Sequence, residues 1–271
     1  MSRLENSAKN IVFSFGNTIL VSILGFISRT VFIHILGTDY LGLAGLLGNV
    51  LGFLSISELG IATAIGFSLY KPLAEKDYKV VSSLMSLYRK AYSIIGTIVL
   101  ISGILLFFFL DFFIPVDQQP AGTDFAYFAF LANTVVSYFL AYKTTLISSD
   151  NQAFRLVPIN MAVNTAQTVL QILVLALTRN YVVYLSVQIV CSIILMAIQN
   201  IYITGKYSEV DFSSKDKLPS EKTAEIKRNV SGLIIAKIGD YLVNSTDNLI
   251  ITKLVSLAAT GIYLSLIHIS E

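Results

Sequence analysis

Charge is scarce in this chain. Of its 271 residues, 13% are Asp, Glu, Lys or Arg, and mean hydropathy is +0.72. Water-soluble domains carry about 25% charged residues. The composition therefore excludes an ordinary soluble domain and points to an integral membrane protein. Cysteine is nearly absent: Cys191 stands alone in the apolar run SVQIVCSIILMAI. One thiol excludes an intrachain disulfide and a cysteine-based metal centre, which needs several closely spaced ligands. A small buried hydrophobe is its expected role. The two histidines, His34 and His268, cannot supply a histidine-based catalytic constellation. There is no GxxxxGK[ST] loop, no HExxH and no Cys/His cluster. Built-in nucleotide hydrolysis and the common zinc chemistries are excluded with them. No enzyme activity, cofactor, metal or nucleic-acid partner is expected.

What the chain has instead is long apolar runs. A helix needs roughly 20 apolar residues to cross the hydrocarbon core. Seven stretches qualify or nearly do, at about 10–36, 41–69, 82–110, 124–147, 157–177, 182–204 and 230–255. The expected fold is all-α, with seven transmembrane helices. The first run is too long for a secretory signal peptide and lacks a small-residue cleavage site. Lys and Arg crowd one set of connections: Arg3 and Lys9, residues 71–90, Lys143 and Arg155, and residues 206–228. Arg179 stands alone on the other side. The positive-inside rule then places the N-terminus and the even-numbered connections in the cytoplasm. The outer connections are short and acidic, with Asp39, Asp111, Asp117 and Asp124. Asp39 and Lys143 read as boundary residues, and Lys253 as an interfacial anchor.

The longest polar segment, GKYSEVDFSSKDKLPSEKTAEIKR, reads as a cytoplasmic linker. It separates a six-helix N-terminal lobe, 1–204, from a second unit. The expected division is a linker over 205–228, the first helix of a C-terminal lobe over 229–263, and a non-native tail over 264–271. The second unit echoes the first. Shifting by 218 positions brings Val12 to Val230, Arg29 to Asp247, Ile33 to Ile251, Leu36 to Leu254 and Thr38 to Ser256. One inserted residue later, Gly42 meets Gly261. Six helices is an even number, so both units would enter from the same side, as a parallel repeat about the membrane normal.

Polar side chains recur on single helix faces. Helix 1 carries Ser14, Thr18, Ser22, Gly25 and Arg29 at steps of three and four. Helix 2 carries Gly48, Gly52, Ser55 and Thr63, with Glu58 nearby. Helix 5 carries Asn160, Asn164, Gln167 and Gln171, and helix 6 carries Gln188, Ser192 and Gln199 more loosely. Helix 7 carries Lys237, Asp240, Asn244, Asp247 and Asn248. Two readings stand side by side. Small residues let helices approach, amides bond between helices, Lys237 and Asp240 neutralise each other, and Arg29 snorkels. Alternatively the stripes line one polar cavity, because a charge at the membrane midplane costs at least ~2.5–3.5 kcal/mol. In the second reading Arg29 and Lys237 meet an anionic substrate, and Arg supplies a planar fork for phosphate. Asn160, Asn164, Gln167 and Gln171 then bond sugar hydroxyls. Glu58, Asp240, Asn244 and Asp247 line the cavity or hold a coupling ion.

The stretch SRTVFIHILGTDYLGLAGLLGNVLGFLSISELGIATAIGFSLYKPLAEKD resembles the opening of bacterial polysaccharide-repeat flippases, and so does NSTDNLIITKL further on. These belong to the multidrug/oligosaccharidyl-lipid/polysaccharide exporter superfamily. The pattern from Ser28 to Gly42 and the run Glu58 to Ala62 carry the resemblance. It implies two six-helix lobes forming a V around a central cavity. It implies flipping of an undecaprenyl-pyrophosphate-linked oligosaccharide across the bacterial cytoplasmic membrane by alternating access, for capsule, exopolysaccharide or O-antigen export. Cations on the first helices of each lobe, here Arg29 and Lys237, would meet the pyrophosphate. Its partners would be the lipid-linked oligosaccharide, membrane lipids, the polysaccharide polymerase and glycosyltransferases. The family has at least twelve helices, so the chain reads as an N-lobe plus the first helix of a C-lobe. The alternatives are an ion-coupled drug exporter of the same superfamily, a membrane enzyme, which the short outer loops disfavour, and a non-transporting scaffold.

Overall fold

The computed structural model describes residues 3–54, 56–215, 218, 226 and 250–270, and the side chains of all of these except 3–6, 8, 53, 56–61, 117 and 264–270. Among the described residues the chain is all-helical, with no strand. The principal helices are α1 (Arg3–Leu36), α2 (Thr38–Leu54), α3 (Ile56–Glu75), α4 (Tyr78–Phe107), the short α5 (Leu110–Phe113), α6 (Thr123–Ser149), α7 (Val157–Thr178), α8 (Tyr181–Lys206) and α9 (Leu257–Ser270).

Among the described residues, five helical stretches are long and apolar enough to cross a membrane: Lys9–Leu36, Tyr78–Phe107, Thr123–Ser149, Ala153–Thr178 and Tyr181–Lys206. They coincide with five of the seven apolar runs. The run over 41–69 is covered by the described helices α2 and α3, and Ser55 between them lies outside the described residues. Most of the 230–255 run lies outside the described residues. A further helix, α9, starts where a continuous final segment was expected. Large apolar side chains stand on the outside of these helices, among them Ile11, Phe15, Phe26, Ile98, Leu105, Leu177 and Ile201. Helices that satisfy their own backbone while turning apolar side chains outward suit lipid rather than water.

Local signals explain the breaks. Gly37, at φ +90°, separates α1 from α2 in a conformation that L side chains rarely adopt. Asp77 caps α4 by accepting from the Val80 amide at 3.1 Å. Asn180 caps α8 by accepting from Val182 N at 2.8 Å, directly after Arg179 turns left-handed at φ +51°. Ser256 Oγ accepts from Ala259 N at 3.1 Å and so starts α9.

The helix ends gather at two levels. At the basic end, Asn10 Nδ2 donates to Asn151 Oδ1 at 2.6 Å, which ties the start of α1 to the α6–α7 connection. The segment after α8, expected to be free linker, is docked there instead. Tyr207 Oη donates to Asp150 Oδ2 at 2.7 Å. Asp211 N donates to Ser82 Oγ at 2.9 Å, and Ser86 Oγ donates to the Ser214 carbonyl at 2.7 Å. Burial and the bond to Asp150 push the Tyr207 phenol above its ordinary range. At the opposite end, Tyr40 Oη donates to the Ala121 carbonyl, and Lys253 Nζ donates to the Phe112 carbonyl at 2.7 Å. Lys253 is thus held against α5.

The interior is built around α6, which packs on α2, α3, α4 and α8. Its contact with α4 is a tyrosine ladder. Tyr88, Tyr92, Tyr127 and Tyr138 are fully buried. Tyr88 and Tyr92 meet edge to face at 4.5 Å, and their hydroxyls bond at 3.0 Å. Tyr127 Oη donates to the Gly103 carbonyl at 2.6 Å. Cys191 is buried and free, as a small hydrophobe would be.

Among the described residues, the closest helix crossing joins α2 to α9. A Cβ on Gly42 would clash with the Leu257 carbonyl, and a Cβ on Gly261 would clash with the Thr38 carbonyl. The contact is reciprocal, each glycine lying four residues after the residue whose carbonyl meets the other. Both helices start at the same end, since Asp39, Tyr40, Ser256 and Leu257 line one hollow there. Two like helices around a local two-fold axis produce such a pattern. Gly42→Ala and Gly261→Ala should each lower stability by about 1–3 kcal/mol, as overpacking does. Gly48→Ala, with nothing within 4 Å of the new methyl, should be neutral or stabilising by up to about 1 kcal/mol. Denaturation of the purified protein in mixed micelles, followed by circular dichroism, measures all three.

Candidate functional site

Two helix faces oppose each other near the end opposite the basic one. On α1, Gly25, Ser28, Arg29 and Phe32 follow at steps of three, one and three. On α8, Tyr181, Tyr184, Leu185 and Gln188 repeat the same spacing. These positions share one face of each helix. Between the faces lies a cavity of about 390 Å³, closed by Leu41 and Ala44 of α2, Phe130 of α6 and Thr168 of α7. A smaller hollow of about 70 Å³, lined by Asn133 and Thr134, shares its walls at Phe130, Leu185 and Gln188.

Arg29 is half-buried and lines this cavity rather than only the lipid surface. Its guanidinium lies within electrostatic reach of the Tyr184 phenol, which hydrogen-bonds with Ser28. Aromatic rings frame the chamber. Phe32 meets Tyr184 at 5.2 Å and Tyr181 at 5.9 Å, and Tyr40 meets Tyr181 at 4.8 Å. Tyr181 is 3% exposed, and its hydroxyl has no hydrogen-bond partner among the described residues. A buried hydroxyl without a partner costs about 1–3 kcal/mol. No carboxylate stands among the described residues lining the cavity. A cation, the Tyr184 phenol and the Gln188 amide thus line one space, which suits an anionic oxygen-rich group. A larger hollow of about 480 Å³ opens at the mouth of α2 and α9, but the described residues lining it include Asp39 and no cation.

The amide face of α7 is used differently in this structure. Gln199 Nε2 donates to Asn160 Oδ1 at 2.7 Å, joining α8 to α7. Gln171 is buried and donates to the Tyr184 carbonyl, while Gln167 donates to Gln171 Oε1, both at 3.5 Å. Asn164 is half-buried, and its carbonyl accepts from Thr168 Oγ1 at 2.9 Å. Gln171 thereby supports the turn of α8 that carries Tyr184. Lys237, Asp240, Asn244 and Asp247 lie outside the described residues, as does the side chain of Glu58.

Two features go beyond the sequence expectations. Tyr181 and Tyr184 share the cavity face with Gln188, a spacing legible in the chain but overshadowed by the amides. Lys143, read as a boundary residue, is buried. Its Nζ donates to Asn200 Oδ1 at 2.5 Å and Thr204 Oγ1 at 2.6 Å, and lies 4.6 Å from the Phe212 ring. Asn200 and Thr204, one turn apart on α8, were the available signal.

No family model, curated protein or solved structure matches this chain.

The Asn160–Gln199 pair predicts a specific energetic coupling. Asn160→Leu alone should cost about 1–2 kcal/mol, because it leaves the Gln199 amide unpaired. Asn160→Leu with Gln199→Leu should recover most of that loss. A double-mutant cycle of micelle unfolding free energies measures the recovery.

Proposed function

We propose that this membrane protein moves an undecaprenyl-pyrophosphate-linked oligosaccharide across the bacterial cytoplasmic membrane by alternating access, with the Arg29 chamber receiving the pyrophosphate. The observation that carries the reading is Arg29, within electrostatic reach of the Tyr184 phenol in an aromatic-walled cavity of about 390 Å³. A guanidinium offers a bidentate fork to phosphate oxygens, and charge-assisted bonds are roughly twice as strong as neutral ones. Tyr184 and Gln188 add neutral donors around the same space. The phenyl and tyrosyl rings exclude water, which strengthens each polar contact.

Two further observations support the reading. The residues from Ser28 to Gly42, which resemble polysaccharide-repeat flippases, give Ser28, Arg29, Phe32 and Leu41 to the chamber wall and Thr38 and Gly42 to the α2–α9 crossing. The reciprocal contact of Gly42 and Gly261 is what two parallel repeats would make where their second helices meet. In this reading the basic end is cytoplasmic. Lys237 meets the same pyrophosphate from the second lobe, and Glu58, Asp240, Asn244 and Asp247 line the shared cavity or hold a coupling ion. A cation exporter would favour acids around the cavity, and the described lining has none. A scaffold acting through the polar linker would lose function on deletion of 216–228, whereas a flippase would tolerate a flexible replacement there.

Arg29→Ala should reduce surface polysaccharide by on the order of tenfold or more in a strain that depends on this protein for export, with Arg29→Lys retaining part of it. Membrane levels of each variant are measured alongside. Undiminished export by Arg29→Ala would contradict the assignment.

A further inference from the structure

A second polar hollow lies far from Arg29, at the basic end between α3 and α6. Gly66 brings these helices together: a Cβ there would touch Ser149 Oγ at 3.5 Å and Thr145 Cγ2 at 3.6 Å. Beside that contact the helices part and leave a groove of about 350 Å³. Sites for small molecules run from roughly 300 to 1,000 Å³. Six hydroxyl-bearing residues line it: Thr63, Tyr70, Thr144, Thr145, Ser148 and Ser149. No charged side chain is among the described lining residues.

The chemistry of this set is narrow. Neutral hydroxyls each offer one donor and two acceptor lone pairs. Such a set suits neither a phosphate nor a cation, and it matches the hydroxyls of a sugar. Thr144 and Thr145 donate to the Ala141 carbonyl at 2.8 and 3.2 Å, which leaves acceptor lone pairs on both oxygens. Thr145 is also fixed from behind, 3.1 Å from the Tyr88 hydroxyl at the end of the buried tyrosine ladder. At the open side Phe67 and Tyr70 meet edge to face at 5.8 Å and are 63% and 48% exposed. Aromatic faces accept the C–H face of a sugar ring through weak contacts. Hydroxyls that merely packed α3 on α6 would leave no open hollow, and acyl chains would gain nothing from six of them.

We infer that this groove is a saccharide subsite, which holds sugar residues of the lipid-linked substrate on the loading side of the membrane. The inference rests on the flippase reading and assigns the glycan to residues that reading does not use. The groove takes part of a glycan through its hydroxyl pattern and leaves the pyrophosphate to Arg29.

Site-directed photocrosslinking tests it. Ser148→Cys, in a Cys191→Ala background, is labelled with benzophenone maleimide in the purified protein. Phe26→Cys, an outward position 69% exposed, is the control. Both are reconstituted in vesicles of phosphatidylethanolamine and phosphatidylglycerol with the source strain's lipid-linked oligosaccharide, radiolabelled in its sugars. Sugar label should couple at position 148 about tenfold more than at position 26. Equal labelling at the two positions, or capture of phospholipid alone at 148, overturns the subsite. If Arg29→Ala abolishes export while 148 stays unlabelled, the flippase reading survives and the subsite fails. If export is also indifferent to Arg29, both fail.

Discussion

A guanidinium inside an apolar helix has to be solvated by the protein, because the hydrocarbon around it offers nothing. That requirement organises the part of the molecule around Arg29. Exposed apolar side chains precede it in sequence, Ile23, Phe26 and Ile27 among them. The chain meets the requirement by turning Gly25, Ser28 and Arg29 inward together and setting Tyr181, Tyr184 and Gln188 of α8 opposite them. Gln171 on α7 braces the turn of α8 that carries Tyr184. The chamber is therefore a consequence of three helices held in register, with α7 packed on both α1 and α8, and α8 backed in turn by α6. Its tyrosine contacts with α4 are tight enough that a Cβ on Gly103 would strike Leu131. A rigid wall on one side leaves room for a cavity on the other.

Polarity elsewhere in the bundle follows the same rule with different outcomes. Lys143 is satisfied by Asn200, Thr204 and an aromatic face, and needs no ligand. Asn160 is satisfied by Gln199. Tyr181 is buried and its hydroxyl is not satisfied within the described residues. The difference between a polar residue that fastens helices and one that does not lies in this accounting of partners. Sequence spacing cannot make that distinction, since all of these residues recur at helical intervals.

The apolar runs were legible because length and hydropathy alone define a crossing, and five of them fall within a few residues of the helices. Arg29 stood out in the sequence because charge in such a run is rare, and it lines a cavity. The placement of 207–215 was not, because its Ser, Lys and Asp content resembles a linker while its docking depends on single bonds to Ser82 and Ser86. Gly42 and Gly261 were legible as equivalent positions, but not as partners in one crossing. Contact between them depends on backbone approach, which no side-chain pattern encodes. The amides of α7 were read as one face, correctly in spacing, but two of them turn to neighbouring helices for bonds that only the packed bundle supplies.

The most direct measurement is lipid retention by the purified protein. Native mass spectrometry counts undecaprenyl pyrophosphate and undecaprenyl monophosphate bound to the wild type and to Arg29→Gln under equal loading. The wild type should prefer the pyrophosphate by about tenfold, and the preference should vanish when the guanidinium is removed. Equal retention of the two lipids by the wild type, or the same preference in Arg29→Gln, would contradict a pyrophosphate site at Arg29.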